Sequence, residues 1–309
     1  MRCLHYRFQR TLANPADIAG IGFISGHAVR VRLKPAPADT GIAFVRTDRK
    51  SSPIPAQAAV VTDTARRTTL GSGENSVTLV EHLLAALAGM RVDNCLIEIE
   101  GPEPPGLDGS AGGFVRAIAA AGVVTQPARR AVLTVTSPMT VCDRGATITV
   151  HPATDETLRI SYVLDYGLTA AIPRQSVTFD VTPDTFSREL AECRTFLLES
   201  EADALRSQGI GKHVTPSHVL VFGPRGVIGN VLRHADEPAR HKVLDLIGDL
   251  SLSGCDLAGH FVAYRSGHQL NVDLAGRLAA ERERSSKSDD RVKMAVEAAR
   301  PKVGVIRAA

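Results

Sequence analysis

Between positions 241 and 250 the chain reads His-Lys-Val-Leu-Asp-Leu-Ile-Gly-Asp-Leu, and acidic or imidazole groups recur every fourth residue. On an α-helix His241, Asp245 and Asp249 rise along one face, at about 1.5 Å per residue. The other residues (Val243, Leu244, Leu246, Ile247, Leu250) are too apolar to leave a broad solvated face. A helix of this kind must pack on most sides and carry its polar groups inward. The plain reading of His241 and Asp245 is a surface ion pair, which contributes only about 0.2–0.5 kcal/mol. The other is a shared cation: neutral imidazole and carboxylate at this spacing suit zinc, provided a further ligand arrives from elsewhere in the chain.

The pattern around this helix predicts an α+β architecture in two similar halves. In the first, strand spacing is read over 28–34, where Val29, Val31 and Leu33 alternate with Arg30, Arg32 and Lys34, and over 42–45, 56–61 and 67–70. A helix over 80–88, a strand over 94–99 and a helix over 113–121 follow. Pro127 and two arginines within 126–130 mark the expected domain boundary. Strands over 131–136, 146–152 and 158–166 then restart the order. Helices over 183–192 and 198–207, a hairpin of 219–222 with 227–231, the helix 238–253, a strand over 259–265 and a helix over 268–284 complete it. The expected division is 1–127, 131–284 and a loosely ordered tail, 285–309, each domain a layered unit of sheet and helices.

Further candidate groups sit on these elements. His82 lies opposite the stripe formed by Leu83, Leu84 and Leu87, on a side shared with Ala85, Ala86 and Gly89. Small residues let another element approach closely, so His82 is either a satisfied core histidine or a metal ligand. Glu81 beside it suits a general base, although a lone glutamate is otherwise surface charge. His268 follows a strand and a Ser-Gly turn. It suits a general acid held by Asp249, against the plain reading of a solvent-facing histidine at a helix start.

Bulk properties narrow the class. A chain of 309 residues, 44% hydrophobic and 22% charged, can build real cores, and without Trp those cores are aliphatic. The net charge of +3 argues against a nucleic-acid partner. Five scattered cysteines with no CxxC pair predict reduced thiols in a cytoplasmic protein. No apolar run approaches the roughly 18 residues of a transmembrane segment.

Several segments together resemble a known family. Ser76–Leu83, Asp108-Gly109-Ser110, Arg194-Thr195-Phe196, Arg240–Leu250 and Ala263–His268 are similar, in this order, to zinc-dependent UDP-3-O-acyl-N-acetylglucosamine deacetylases of lipid A biosynthesis. Gln9–Leu12 and Pro35–Gly41 match the family's opening pattern. The likeness runs from about residue 8 to 280. It implies two α+β domains with helices packed between the two sheets and a site between the domains. It implies Zn²⁺ on His82, His241 and Asp245, with Glu81 as base and His268 as acid. Asp249 would orient His268, Thr195 would polarise the substrate carbonyl, and Lys242 and Phe196 would contact the sugar nucleotide. An acylated UDP-sugar substrate and a monomer are expected.

The chain departs from the family pattern at Ile24, where a histidine is usual, and in the segment shaping the acyl passage. Lys212 and His213 stand there in place of glycines, and Pro216 is unusual too. A bulkier passage would favour a shorter acyl chain or another N-acetyl sugar. A non-catalytic binding protein of the same fold is the remaining alternative, disfavoured by a retained base and acid.

Overall fold

The structure, a computed structural model, describes residues 1–298, with side chains described through Ser285. Residues 28–35 alternate as the sequence demands, with Val29, Val31 and Leu33 buried and Arg30 and Arg32 exposed. This strand belongs to a five-stranded sheet in the order Ala16–Ile21, Ala28–Pro35, Cys95–Glu100, Ile42–Arg46, Ile54–Pro55. The second five-stranded sheet runs Met139–Asp143, Ala146–His151, Gly259–Tyr264, Leu158–Leu164, Gln175–Asp180. Both sheets repeat one topology. A hairpin comes first, a late strand pairs antiparallel with it and parallel with the next strand, and an antiparallel strand closes the edge. The duplication suspected from element order is present in strand order and sense.

The helices repeat as well. In the first half α1 (Glu81–Gly89) precedes the late strand and α2 (Gly112–Ala121) follows it. The second half opens its helical part with a short turn, α3 (Pro183–Thr185), continued by a π-helical stretch Phe186–Leu190, and with α4 (Glu199–Ser207). Then α5 (Glu237–Ser251) and α6 (His268–Ala298) flank the late strand Gly259–Tyr264. α1 and α5 are therefore equivalent elements, and they pack on each other in the middle of the molecule. The α+β class and the helices between two sheets agree with the expectation. At equivalent points each half carries an insert, a three-stranded sheet Val61–Asp63, Thr69–Ser72, Asn75–Thr78 in the first and Phe196–Leu198, Leu220–Gly223, Gly226–Val227 in the second.

Some local expectations differ. The segment 126–130 lies inside a strand, Val123–Thr134, paired with Arg2–Leu12. Pro127 fits because it falls in the irregularity where the register slips between Phe8 and Arg10. The strand expected over 56–61 is instead a 3₁₀ turn, Ala58–Val60, between two short strands. The second arm of the later hairpin shrinks to Gly226–Val227. α6 passes its predicted end at 284 and continues to Ala298, while 299–309, the rest of the expected tail, lie outside the described residues. No helix among the described residues is long and apolar enough to cross a membrane.

Candidate active site

Helices α1 and α5 are buried almost all round: eight of nine residues in α1 and twelve of fifteen in α5. Their closeness depends on Gly248, where an added Cβ would lie 2.2 Å from the Glu81 carbonyl oxygen and 3.2 Å from the Ala85 nitrogen. Glu81 and His82 are thereby held against the polar face of α5. Just before α1 the chain turns through Leu79 at φ 57°, a left-handed conformation that costs a branched residue roughly 1–3 kcal/mol and often marks a functional site.

His82 Nε2 lies 3.5 Å from Asp245 Oδ1, and His241 Nε2 lies 3.3 Å from the same oxygen. The three donor atoms all fall within 4.8 Å of one another. Asp245 Oδ1 is buried with no hydrogen-bond partner among the described residues, a costly state for a carboxylate unless a cation occupies the gap. His241 Nδ1 sits 3.0 Å from the Cys193 carbonyl oxygen. A carbonyl only accepts, so Nδ1 carries the proton and Nε2 keeps its lone pair for the cluster. Burial pushes the His241 imidazole down to about 4, keeping it neutral. Burial works against ionised Asp245, but His241 and the Lys242 ammonium outweigh it and hold the carboxyl well below its ordinary range. Two imidazole nitrogens and one carboxylate oxygen fit a divalent metal ion.

Beside this triad stands a buried carboxylate–imidazole pair of the kind suited to moving protons. His268 Nε2 lies 3.9 Å from Glu81 Oε1, and His268 Nδ1 donates to Asp249 Oδ2 at 2.8 Å. Burial alone would depress His268, but Asp249 and Glu81 outweigh it and set its pKa at about 9. Glu81 is raised above the usual carboxylate range, chiefly by burial and against the pull of His268 and His82. His268 begins α6, where the Tyr162 hydroxyl donates to the carbonyl of Ser266 and anchors the preceding turn.

The predicted residues converge on one cavity of about 670 Å³, which Glu81, His82, His241, Lys242, Asp245, His268, Thr195 and Phe196 all line. Asp249 lies behind His268 rather than on the cavity wall. Lys242 Nζ donates to Asp245 Oδ2 at 2.9 Å and stands 5.6 Å from the Phe196 ring centre. The Phe196 ring also meets His241 edge-on at 6.2 Å. Away from the triad one stretch of the wall is apolar, formed by Ile24, Leu205, Ile210, Val214, Val219 and Val221, while Arg66, Arg67, Arg144, Arg206 and Arg265 bring positive charge to the rest. Lys212 and His213 are exposed and absent from that lining. His213 instead packs outside on the loop before Ala28, with Nε2 2.8 Å from the Gly22 carbonyl oxygen. These two residues therefore do not narrow this cavity, whereas Ile24 does form part of its wall.

Sequence reasoning missed two polar residues here. Thr68, fully buried, donates its hydroxyl to Asp249 Oδ1 at 2.7 Å and its backbone N–H to Glu81 Oε2 at 3.0 Å. Asn271 Nδ2 donates to Asp249 Oδ2 at 2.9 Å. Asn271 had a readable signal, since it shares the helical stripe of Leu274 and Leu278, three and seven residues on. Thr68 had none beyond its place at the inward position of a strand pattern.

The stretch of chain that carries these groups is shared with known proteins. Residues 9–280 match the family model described as UDP-3-O-acyl N-acetylglycosamine deacetylase. A protein of Nostoc sp. named UDP-3-O-acyl-N-acetylglucosamine deacetylase is 45% identical over 278 residues, 88% of this chain and 98% of the relative. Proteins of the same name from Thermosynechococcus vestitus and Myxococcus xanthus are 43% and 39% identical over 275 residues each. They cover 89% and 88% of this chain and 95% and 87% of the relatives.

Proposed function

The chain belongs to the UDP-3-O-acyl N-acetylglycosamine deacetylase family, and from that membership we propose that it hydrolyses the acetamide of a UDP-linked 3-O-acyl-N-acetylglucosamine. Acetate and the free amine are the products, and the reaction is an early step of lipid A biosynthesis. The carrying observation is the buried Asp245 oxygen, unpartnered among the described residues and facing two imidazole nitrogens, with a carboxylate–imidazole pair alongside.

We assign zinc to His82, His241 and Asp245, a donor set that suits it. Bound there, zinc supplies Lewis acidity toward water and the amide carbonyl near neutral pH. Glu81 takes the proton of the attacking water. His268 gives its Nε2 proton to the amide nitrogen as the C–N bond breaks, because an amine anion is too basic to leave. Asp249 keeps Nδ1 engaged, so that the transferable proton sits on the nitrogen facing the cavity. The Thr195 hydroxyl donates to the carbonyl oxygen as negative charge builds on it. Afterwards the proton on Glu81 can return to His268 across the short gap between them, restoring both groups. Lys242 and Phe196 contact the sugar nucleotide, and the apolar part of the cavity takes the 3-O-acyl chain.

The reading extends to the chain's surroundings. Every group in the scheme comes from one chain, which supports action as a monomer, and five unpaired thiols suit the cytoplasm. The test is an acetate-release assay on UDP-3-O-acyl-N-acetylglucosamine beside metal analysis. One zinc per chain with turnover is expected. One zinc and no acetate from any N-acetylated sugar nucleotide would overturn hydrolysis and leave a binding protein.

A further inference from the structure

All three polar groups of Thr68 are engaged around the site. Its N–H serves Glu81 Oε2, its hydroxyl serves Asp249 Oδ1, and its carbonyl oxygen accepts the N–H of Val80 at 3.4 Å, one residue before α1. Its neighbours are tied down as well. Arg67 Nε donates to Thr78 Oγ1 at 2.8 Å, and the hydroxyls of Thr69 and Thr78 meet at 2.7 Å. Thr68 is thus a fixed point in the first half's insert, and it reaches both the general base on α1 and, on α5, the carboxylate behind the general acid.

The consequence follows from the geometry of Asp249. Its Oδ2 accepts from His268 Nδ1 and Asn271 Nδ2, while Oδ1 has, among the described residues, only the Thr68 hydroxyl. The terminal torsion of a carboxylate is soft. With Oδ1 unheld, the group can turn, and His268 turns with it because the imidazole hangs on the other oxygen. His268 Nε2 would then leave its place 3.9 Å from Glu81 Oε1. A displacement of roughly 1 Å in a reacting group can cost about 10²-fold in rate.

We infer that Thr68 is a positioning residue for the hydrolysis, fixing the general acid relative to the general base through its hydroxyl and its backbone amide. The inference rests on the function proposed above. The test compares Thr68→Val, which keeps shape and backbone N–H and removes the hydroxyl, with Thr68→Ser, which restores it. Three readouts are taken on zinc-loaded protein: kcat and KM for acetate release, zinc content, and the proton NMR signal of His268 Nδ1–H. Thr68→Val should lower kcat tenfold or more with KM within twofold and zinc unchanged, and should shift or broaden that signal. Thr68→Ser should recover most of both losses. A Thr68→Val protein with kcat within twofold of the parent and an unmoved signal would overturn the inference, leaving the hydroxyl a structural contact. Should the valine variant fail to fold, Thr68→Ala carries the same comparison. The NMR signal is read without turnover, so even a parent protein inert toward the acetylated substrate reveals whether the Thr68 hydroxyl holds His268 in place.

Discussion

Glu81 and His268 are both pushed toward holding their protons, the first by burial and the second, in spite of burial, by Asp249 and Glu81. The scheme needs Glu81 ionised and His268 protonated. Activity should therefore rise with pH as Glu81 deprotonates and fall as pH climbs through the His268 value of about 9. A cation on the triad lowers both limbs, so the basic limb belongs at or below that value. A pH profile of kcat/KM checks this, and a basic limb surviving in His268→Gln would remove His268 as the acid. Glu81→Ala and His268→Ala should each cut kcat by about 10²-fold or more and keep zinc. His82→Ala should instead lose it, measured as metal stoichiometry at submicromolar free zinc. His241 and Asp245 were legible as candidate ligands because imidazole and carboxylate are rare inside an otherwise apolar helix, whereas His82 joined them only through the family resemblance. Thr68 was not legible, because nothing in a threonine just before a short strand reveals that its hydroxyl meets an aspartate 181 residues away.

At the level of elements, the helices carrying the site were the most readable parts. The expected spans 80–88 and 238–253 fall within two residues of α1 and α5, since both are long apolar patterns with clear ends. The N-terminal strand Arg2–Leu12 went unread because its pattern is inverted. Tyr6 and Phe8 face outward, while Gln9 and Thr11 are buried in a polar seam with Asn94. Period alone assigns the wrong face to such a strand. What the sequence did not disclose is how closely α1 and α5 approach at Gly248. Gly248→Ala gains about 0.5–1 kcal/mol of helix propensity. The added methyl, however, meets backbone that cannot yield, so the cost should lie at the upper end of the roughly 1–3 kcal/mol typical of overpacking. The variant should melt several degrees lower and bind zinc more weakly, because His82 moves away from His241 and Asp245. Unchanged melting and zinc affinity would mean the two helices tolerate a wider separation than the site requires.

On the scale of the whole molecule, duplication explains where the site lies. Two copies of one topology bring their equivalent helices face to face, and their inserts, placed alike in each half, wall the cavity beside that seam. The first insert supplies Arg66 and Arg67 to the rim, and the second supplies Leu205, Ile210, Val214 and Val221 to the apolar wall. If that wall holds the acyl chain, each methylene buried there contributes about 0.8 kcal/mol, or about fourfold in affinity. KM should fall by roughly this factor per methylene and then level off once the chain fills the space. Val214→Trp shortens the space without touching the triad, so the levelling should begin at a shorter chain. Substrates too short to reach position 214 should keep their KM and kcat. Kinetics across a series of UDP-3-O-acyl-N-acetylglucosamines of increasing chain length measure both effects. A tryptophan variant whose KM rises equally for every chain length, the shortest included, would show that the acyl chain lies elsewhere. The apolar wall would then have to be explained as packing for the second insert alone.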